Sequence, residues 1–258
     1  MWAMQTVDQA NRAEPRGLGT ALPGGGLRPG TAAGTCGDLP LLLALAAEAA
    51  GTVGADRGGA WAVVGLPQLG ALAAADAGLD LGAGMWVDRP GRRWPEVVAT
   101  AVEAVPVVLL GLPAGVRGVG RAAGPATVPD RTVRRVGALL RRSGSVLLVA
   151  GHWPGAEVRL RVSRAVWQGV DGEGYGLLRG RRTRVAVGGR GAGGMEHAVD
   201  LWLPGPQGAV EPYGAAGSAE SEAVRGSVLL PSDGPADGSV SGTDDGEGRR
   251  RGSLRVVG

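Results

Sequence analysis

The chain has 258 residues, 44% of them apolar, and its 27 basic against 24 acidic side chains leave a formal charge of +3. That length suits one domain with flexible ends, preferred here over two small domains, the charge is too mild to declare nucleic-acid binding, and a single cysteine, Cys36, excludes an internal disulfide or a multi-cysteine zinc centre. The longest apolar run, residues 39–47, is far short of the roughly 20 residues a bilayer span needs, and MWAMQTVDQANRAEPRG lacks a basic-then-apolar leader, so a cytoplasmic protein without membrane association is expected.

In chain order, the glycine-rich GGGLRPG at 24–30 precedes a weak first strand over 31–36. A helix follows over 39–50, with Pro40 in its first turn, where a missing N–H costs nothing. WAVVG at 61–65 predicts the second strand, and residues 67–77 a helix closed by Gly78 as a C-cap. Residues 84–87 read as a third strand, and 94–104 as a helix with Val97, Val98, Ala101 and Val102 on one face. Residues 106–110, VVLL at heart, read as a fully buried fourth strand. After a Gly/Pro-rich connection over 111–129, a helix runs from Asp130, its expected N-cap, to Arg142. It turns Val133, Val136, Leu139 and Leu140 inward and Arg134, Arg135, Arg141 and Arg142 outward. SVLLV at 145–149 completes five strands alternating with helices, the pattern of a parallel sheet with crossover helices.

The pattern then changes. Val158, Leu160 and Val162 alternate with Arg159, Arg161 and Ser163, as in a half-buried antiparallel strand, and residues 165–170, 175–178, 182–187 and 197–203 continue as short strands between glycine turns. From about residue 205, Gly, Ser, Pro and acidic residues predict disorder, interrupted by VLL at 228–230 and by the terminal RRRGSLRVV. The expected fold class is therefore α/β: a parallel sheet with crossover helices, then antiparallel β-hairpins and a disordered C-terminal tail. The expected divisions are an N-terminal arm (1–17), a main domain (18–205) with its hairpin appendage from about 156, and the tail (206–258).

The glycine turn before the first long helix invites comparison with a phosphate-binding loop, G-x-x-x-x-G-K-[ST], in which backbone N–H groups cradle phosphates, lysine neutralises them and a hydroxyl holds the metal. Counting from Gly37, the second glycine falls on Leu42, the lysine on Leu43 and the hydroxyl on Ala44; counting from Gly25, Gly30 fits but Thr31 and Ala32 take the last two places. The chain contains no lysine at all. The loop reads as degenerate, and neither a nucleotide cofactor nor a metal is expected.

This order resembles the RecA-like core, through GGGLRPGT before the first strand, the emptied phosphate loop, WAVVGLP at the second strand, the buried VVLL strand and the trailing hairpins. More narrowly it resembles the ImuA-type accessory proteins of bacterial mutagenesis cassettes, through residues 24–30 and 60–66, HWPGAEVRLRVSRAVWQG at 152–169 and AVDLWLPG at 198–205. The resemblance covers roughly residues 15–205. It implies a non-catalytic scaffold in damage-induced mutagenesis, working with a Y-family-like polymerase hub of ImuB type, a mutagenic replicative-type polymerase and RecA in translesion synthesis. The chain departs from ATP-hydrolysing RecA proteins at both nucleotide motifs. Gly111 follows Leu110 where an acidic residue would hold Mg²⁺, which removes the electrostatic part of phosphoryl transfer. Two alternatives stay open: a weak nucleotide-binding ATPase with arginine replacing lysine, and a single-stranded DNA-binding module.

Three further features carry chemistry. Cys36 and His152 would lie at carboxyl ends of neighbouring strands in a RecA-type order and suggest a nucleophile–base pair, but no third group orients the imidazole, and a small thiol near a loop histidine is the plainer reading. GRGAGG at 189–194 satisfies G-x-G-x-x-G yet leads into a strand instead of a helix, so it reads as a hairpin loop. Arg159, Arg161, Arg164, Arg181, Arg182 and Arg184 crowd the hairpins near Trp167 and Tyr175. They make a candidate surface for an acidic protein partner or single-stranded DNA, against the plainer reading of a solvated sheet face.

Overall fold

Three runs without a polar residue, WAVV, VVLL and VLLV, become strands buried along their whole length, as a parallel sheet covered on both faces requires. The computed structural model describes residues 18–112, 128–171, 173–190, 196–206, 210–212 and 228–229. The N-terminal arm, most of the connection expected over 111–129, part of GRGAGG and most of the expected tail lie outside the described residues. In chain order the elements are β1 (Ala32–Gly34), α1 (Leu39–Thr52), β2 (Trp61–Val64), α2 (Ala71–Asp76), β3 (Gly84–Val87), α3 (Trp94–Ala104), β4 (Val107–Leu110), α4 (Asp130–Ser143) and β5 (Val146–Val149). Then come β6 (Val158–Val170), β7 (Gly176–Gly188), β8 (His197–Trp202), β9 (Glu211–Pro212) and β10 (Val228–Leu229).

One sheet holds them all, in the order β3-β2-β4-β5-β1-β6-β7-β8-β9, with β10 also paired to β6. β1 to β5 are mutually parallel. β1 joins the two halves by pairing in parallel with the start of β6, after which β6, β7, β8 and β9 run antiparallel. The class is the α/β arrangement expected, and the hairpins continue the parallel sheet directly. The stretch expected as tail returns to the sheet at β9 and β10.

Strand alternation sorts the core into two layers. Val63, Leu109 and Leu148 face the cluster built on α1, while Val64, Leu110 and Val149 face the cluster built on α3 and α4. α1 also packs beneath Leu160, Val185 and Leu201 of the antiparallel strands, which is why nearly every position of LPLLLALAA is apolar. Among the described residues no helix is long and apolar enough to cross a membrane.

Four local expectations are corrected. The helix expected over 67–77 starts only at Ala71, because Gly70 stays extended at its N-cap (φ −76°, ψ 137°) and residues 66–69 form a turn closed by the Leu69 N–H on the Leu66 carbonyl. Asp130 is the first helical residue instead of the cap: extended Pro129 takes the cap position, leaving the Asp130 carboxylate in the first turn, where the helix dipole favours it. The short strands expected at 158–163 and 165–170 merge into β6, since a register shift between Val162 and Arg164 absorbs the extra residue as a bulge. Those at 175–178 and 182–187 merge likewise into β7, whose interior accommodates Gly180 opposite Gln168.

Candidate functional site

β1 and α1 are joined by residues 35–38 alone. Thr35 is fully buried and its N–H donates to the Val149 carbonyl at 3.0 Å, tying the loop to β5. Cys36 (φ 49°) and Gly37 (φ 94°) then take left-handed conformations, and the chain emerges with Asp38 extended at the N-cap of α1. The Leu41 N–H donates to Asp38 Oδ1 at 2.9 Å, as helix capping asks of an aspartate. From β7, Arg181 Nη2 donates to both oxygens of the same carboxylate, at 2.8 and 2.9 Å. Arg181 Nε donates to the Leu203 carbonyl at 2.8 Å, and the guanidinium lies 5.9 Å from the Trp167 ring centre. An anion therefore stands at the head of α1, and it is the chain's own, with its counter-charge already in place.

The positions that a phosphate loop would give to its second glycine, lysine and hydroxyl are Leu42, Leu43 and Ala44, all buried in α1. Pro40, Leu43 and Ala44 line an apolar groove of about 280 Å³ together with Trp167, Leu178 and Pro204. At the end of β4, the Gly111 N–H donates to the Val64 carbonyl at 2.8 Å, and a Cβ at Gly111 would stand 2.3 Å from the Gly65 carbonyl oxygen and 2.5 Å from Leu66 Cδ2. This backbone approach leaves no space for a carboxylate side chain at that position.

The arginines divide between the two faces of the antiparallel strands. Cross-strand register sets Arg164 opposite Arg184, and Arg184 opposite Asp200, while Arg182 lies opposite Trp202. Arg159, Arg161, Arg164, Arg182 and Arg184 thus share the outer face. Arg181 does not join them: strand alternation turns it inward, where its side chain is 10% exposed against Asp38. On the outer face Arg161 pairs with Glu196 at 3.3 Å and Arg184 reaches Asp200 at 3.8 Å, whereas Arg159 and Arg164 have no carboxylate partner among the described residues.

The sequence model of the MT3502 N-terminal domain matches residues 20–155, more than half of the chain. The chain belongs to the MT3502 family. An uncharacterized protein of Mycobacterium tuberculosis, Rv3395c, is 33% identical to it over 186 residues, 69% of this chain and 82% of the relative. Among solved structures, the RadB recombinase superposes with a TM-score of 0.50 at 13% identity, covering 75% of this chain and 95% of RadB. That likeness gives the fold, and the fold of this MT3502-family chain is RecA-like. The family match ends before β6, so Asp38 lies inside the matched region and Arg181 outside it.

Cys36 is solvent-exposed in this family member. The protein around its sulfur pushes the thiol pKa up by desolvation, opposed by the charges of Arg161 and Arg159, and no hydrogen bond joins it to exposed His152. A nucleophile needs its pKa pushed the other way. Sequence reasoning missed two groups. The Asp38–Arg181 pair spans 143 residues, and only its first half had a local signal, an aspartate directly before Leu-Pro. Glu48 sits in α1 among alanines, where burial drives its carboxyl up to about 7 against the lowering effect of a backbone hydrogen bond from Gly19.

Proposed function

We propose that this MT3502-family protein is a non-catalytic RecA-like scaffold of ImuA type that serves damage-induced mutagenesis by bringing polymerases together in translesion synthesis. The observation that carries this reading is the Asp38 carboxylate at the head of α1. In a phosphate-binding fold the free N–H groups and positive dipole end of this helix are what attract the ligand. Here the Leu41 N–H is taken by Asp38, whose charge is balanced by Arg181. A triphosphate would have to expel a tethered carboxylate and strand its arginine. The buried Leu42 and Leu43 add no cation to receive it.

The partners that the ImuA resemblance implies are a Y-family-like polymerase hub, RecA and a mutagenic replicative-type polymerase. The outer arginine face supports contact with an acidic protein surface, since guanidinium pairs bidentately with carboxylate. Its charge is partly spent on Glu196 and Asp200, which weighs against a continuous DNA track. Calorimetric titration with ATP and Mg²⁺, run beside co-purification with the polymerases, tests the reading. It requires no metal-dependent nucleotide binding or turnover, and partner capture that Arg159→Glu with Arg161→Glu weakens. Metal-dependent turnover that follows the purified chain itself would make the protein an ATPase. Steeply salt-dependent binding of single-stranded DNA, lost in the same double variant, would make it a DNA-binding module.

A further inference from the structure

β6 is 13 residues long, while β1 beside it has only 3. β1 meets β6 at Val158 and Arg159 and stops there. On that side of β6, among the described residues, the next pairing comes only at Val166 and Trp167, which face Leu229 and Val228 of β10 in antiparallel register. Between them, on that side, no described strand lies against residues 160–165. A row of unpaired N–H and C=O groups at a sheet edge is a template for another strand, and such edges are ordinarily shortened, bulged, charged or covered.

The chain's own cover is brief. β10 contains 2 residues, drawn from the apolar run VLL within a sequence otherwise rich in Gly, Ser and acidic residues. β10 pairs with Val166 and Trp167, past the end of the 160–165 stretch.

We infer that the 160–165 edge of β6 is a strand-addition site for an extended segment of a partner protein. The side-chain pattern of the edge specifies the partner's chemistry. Leu160 and Val162 lie on the inner, apolar face of the sheet, whereas Arg161 and Arg164 are exposed on the outer face. Residues of an added strand alternate between the same two faces. The fitting segment alternates aliphatic with acidic residues and contains no proline before its last position. Backbone hydrogen bonds provide the binding, and Arg161 and Arg164 select the acidic positions. The proposal uses the edge alone and stands whether or not the protein binds nucleotide.

The test uses the full chain and a fluorescein-labelled peptide, Ser-Val-Glu-Val-Glu-Val-Ser, with fluorescence anisotropy for affinity and amide hydrogen exchange for location. The peptide should slow exchange across residues 160–165. Arg161→Glu with Arg164→Glu should weaken binding about tenfold, and a peptide with proline in place of its central valine should not bind. Equal affinity of wild type and the arginine variant, or peptide binding without protection at 160–165, overturns the proposal. Protection of 160–165 that grows with protein concentration in the absence of peptide overturns it also, by assigning the edge to a second copy of the chain.

Discussion

Asp38 serves two groups with one carboxylate, capping α1 and neutralising Arg181 in a place where the two side chains are 16% and 10% exposed. Breaking a buried pair from one side leaves the other charge without water or partner, at a cost of about 3–5 kcal/mol. Arg181→Ala should therefore lower the urea-unfolding free energy by about that amount, whereas Arg159→Ala, on the exposed outer face, should change it by less than about 0.5 kcal/mol. Glu48 makes stability depend on pH. Its folded pKa of about 7 lies above the ordinary 4.5, so the folded chain holds the proton more tightly than the unfolded chain does. The stability this contributes is fully present below pH 4.5 and is lost as pH rises through about 7. Glu48→Gln should raise the unfolding free energy at pH 8 by about 1–3 kcal/mol and leave it nearly unchanged at pH 4, as paired urea titrations would read. Neither group was fully legible in the sequence. Asp38 carries a cap signature, but its arginine lies across the sheet, and a single glutamate in an alanine-rich helix looks like a solvated position until a single 3₁₀ turn, Leu18–Ala21, closes over that end of α1.

Elements were readable where one local signal dominated. β3 and α3 fall on their expected bounds, the first marked by its short apolar run and the second by a proline entry and a one-sided apolar stripe. β6 and β7 were not, because a bulge at Ser163 and a glycine at position 180 look locally like breaks, and only the cross-strand ladder shows that they are not. The arginine surface fared in the same way: alternation is visible in Arg159 and Arg161, but which face meets α1 is decided by packing, and that decision turned Arg181 inward. Gly111 shows the constraint that neighbouring strands impose on each other. Its Cβ position overlaps the Gly65 carbonyl, backbone against backbone, so Gly111→Ala should destabilise the protein by about 1–3 kcal/mol and lower its melting temperature in calorimetry.

At the scale of the molecule, α1 runs under the parallel strands and the antiparallel ones alike, and β1 stitches the two groups into one sheet. No boundary with few contacts separates them. The RecA-like core and its hairpins should consequently melt as one cooperative unit, with tryptophan fluorescence and far-ultraviolet dichroism giving coincident curves; separate midpoints would mean that the hairpins form a domain of their own. Alternation of strands and helices made the class of this fold legible, while the continuity of its sheet depended on a short parallel contact between β1 and β6 that leaves no pattern in the sequence.

That contact, together with the Asp38–Arg181 bond, makes the β6–β7 hairpin a cantilever clamped at its root. A load applied to the free end, where Tyr175 and Leu177 stand 74% exposed, travels along β7 to a guanidinium bolted to the head of α1. Whatever grips this arm pulls directly on the helix that in a motor protein would feel the fuel.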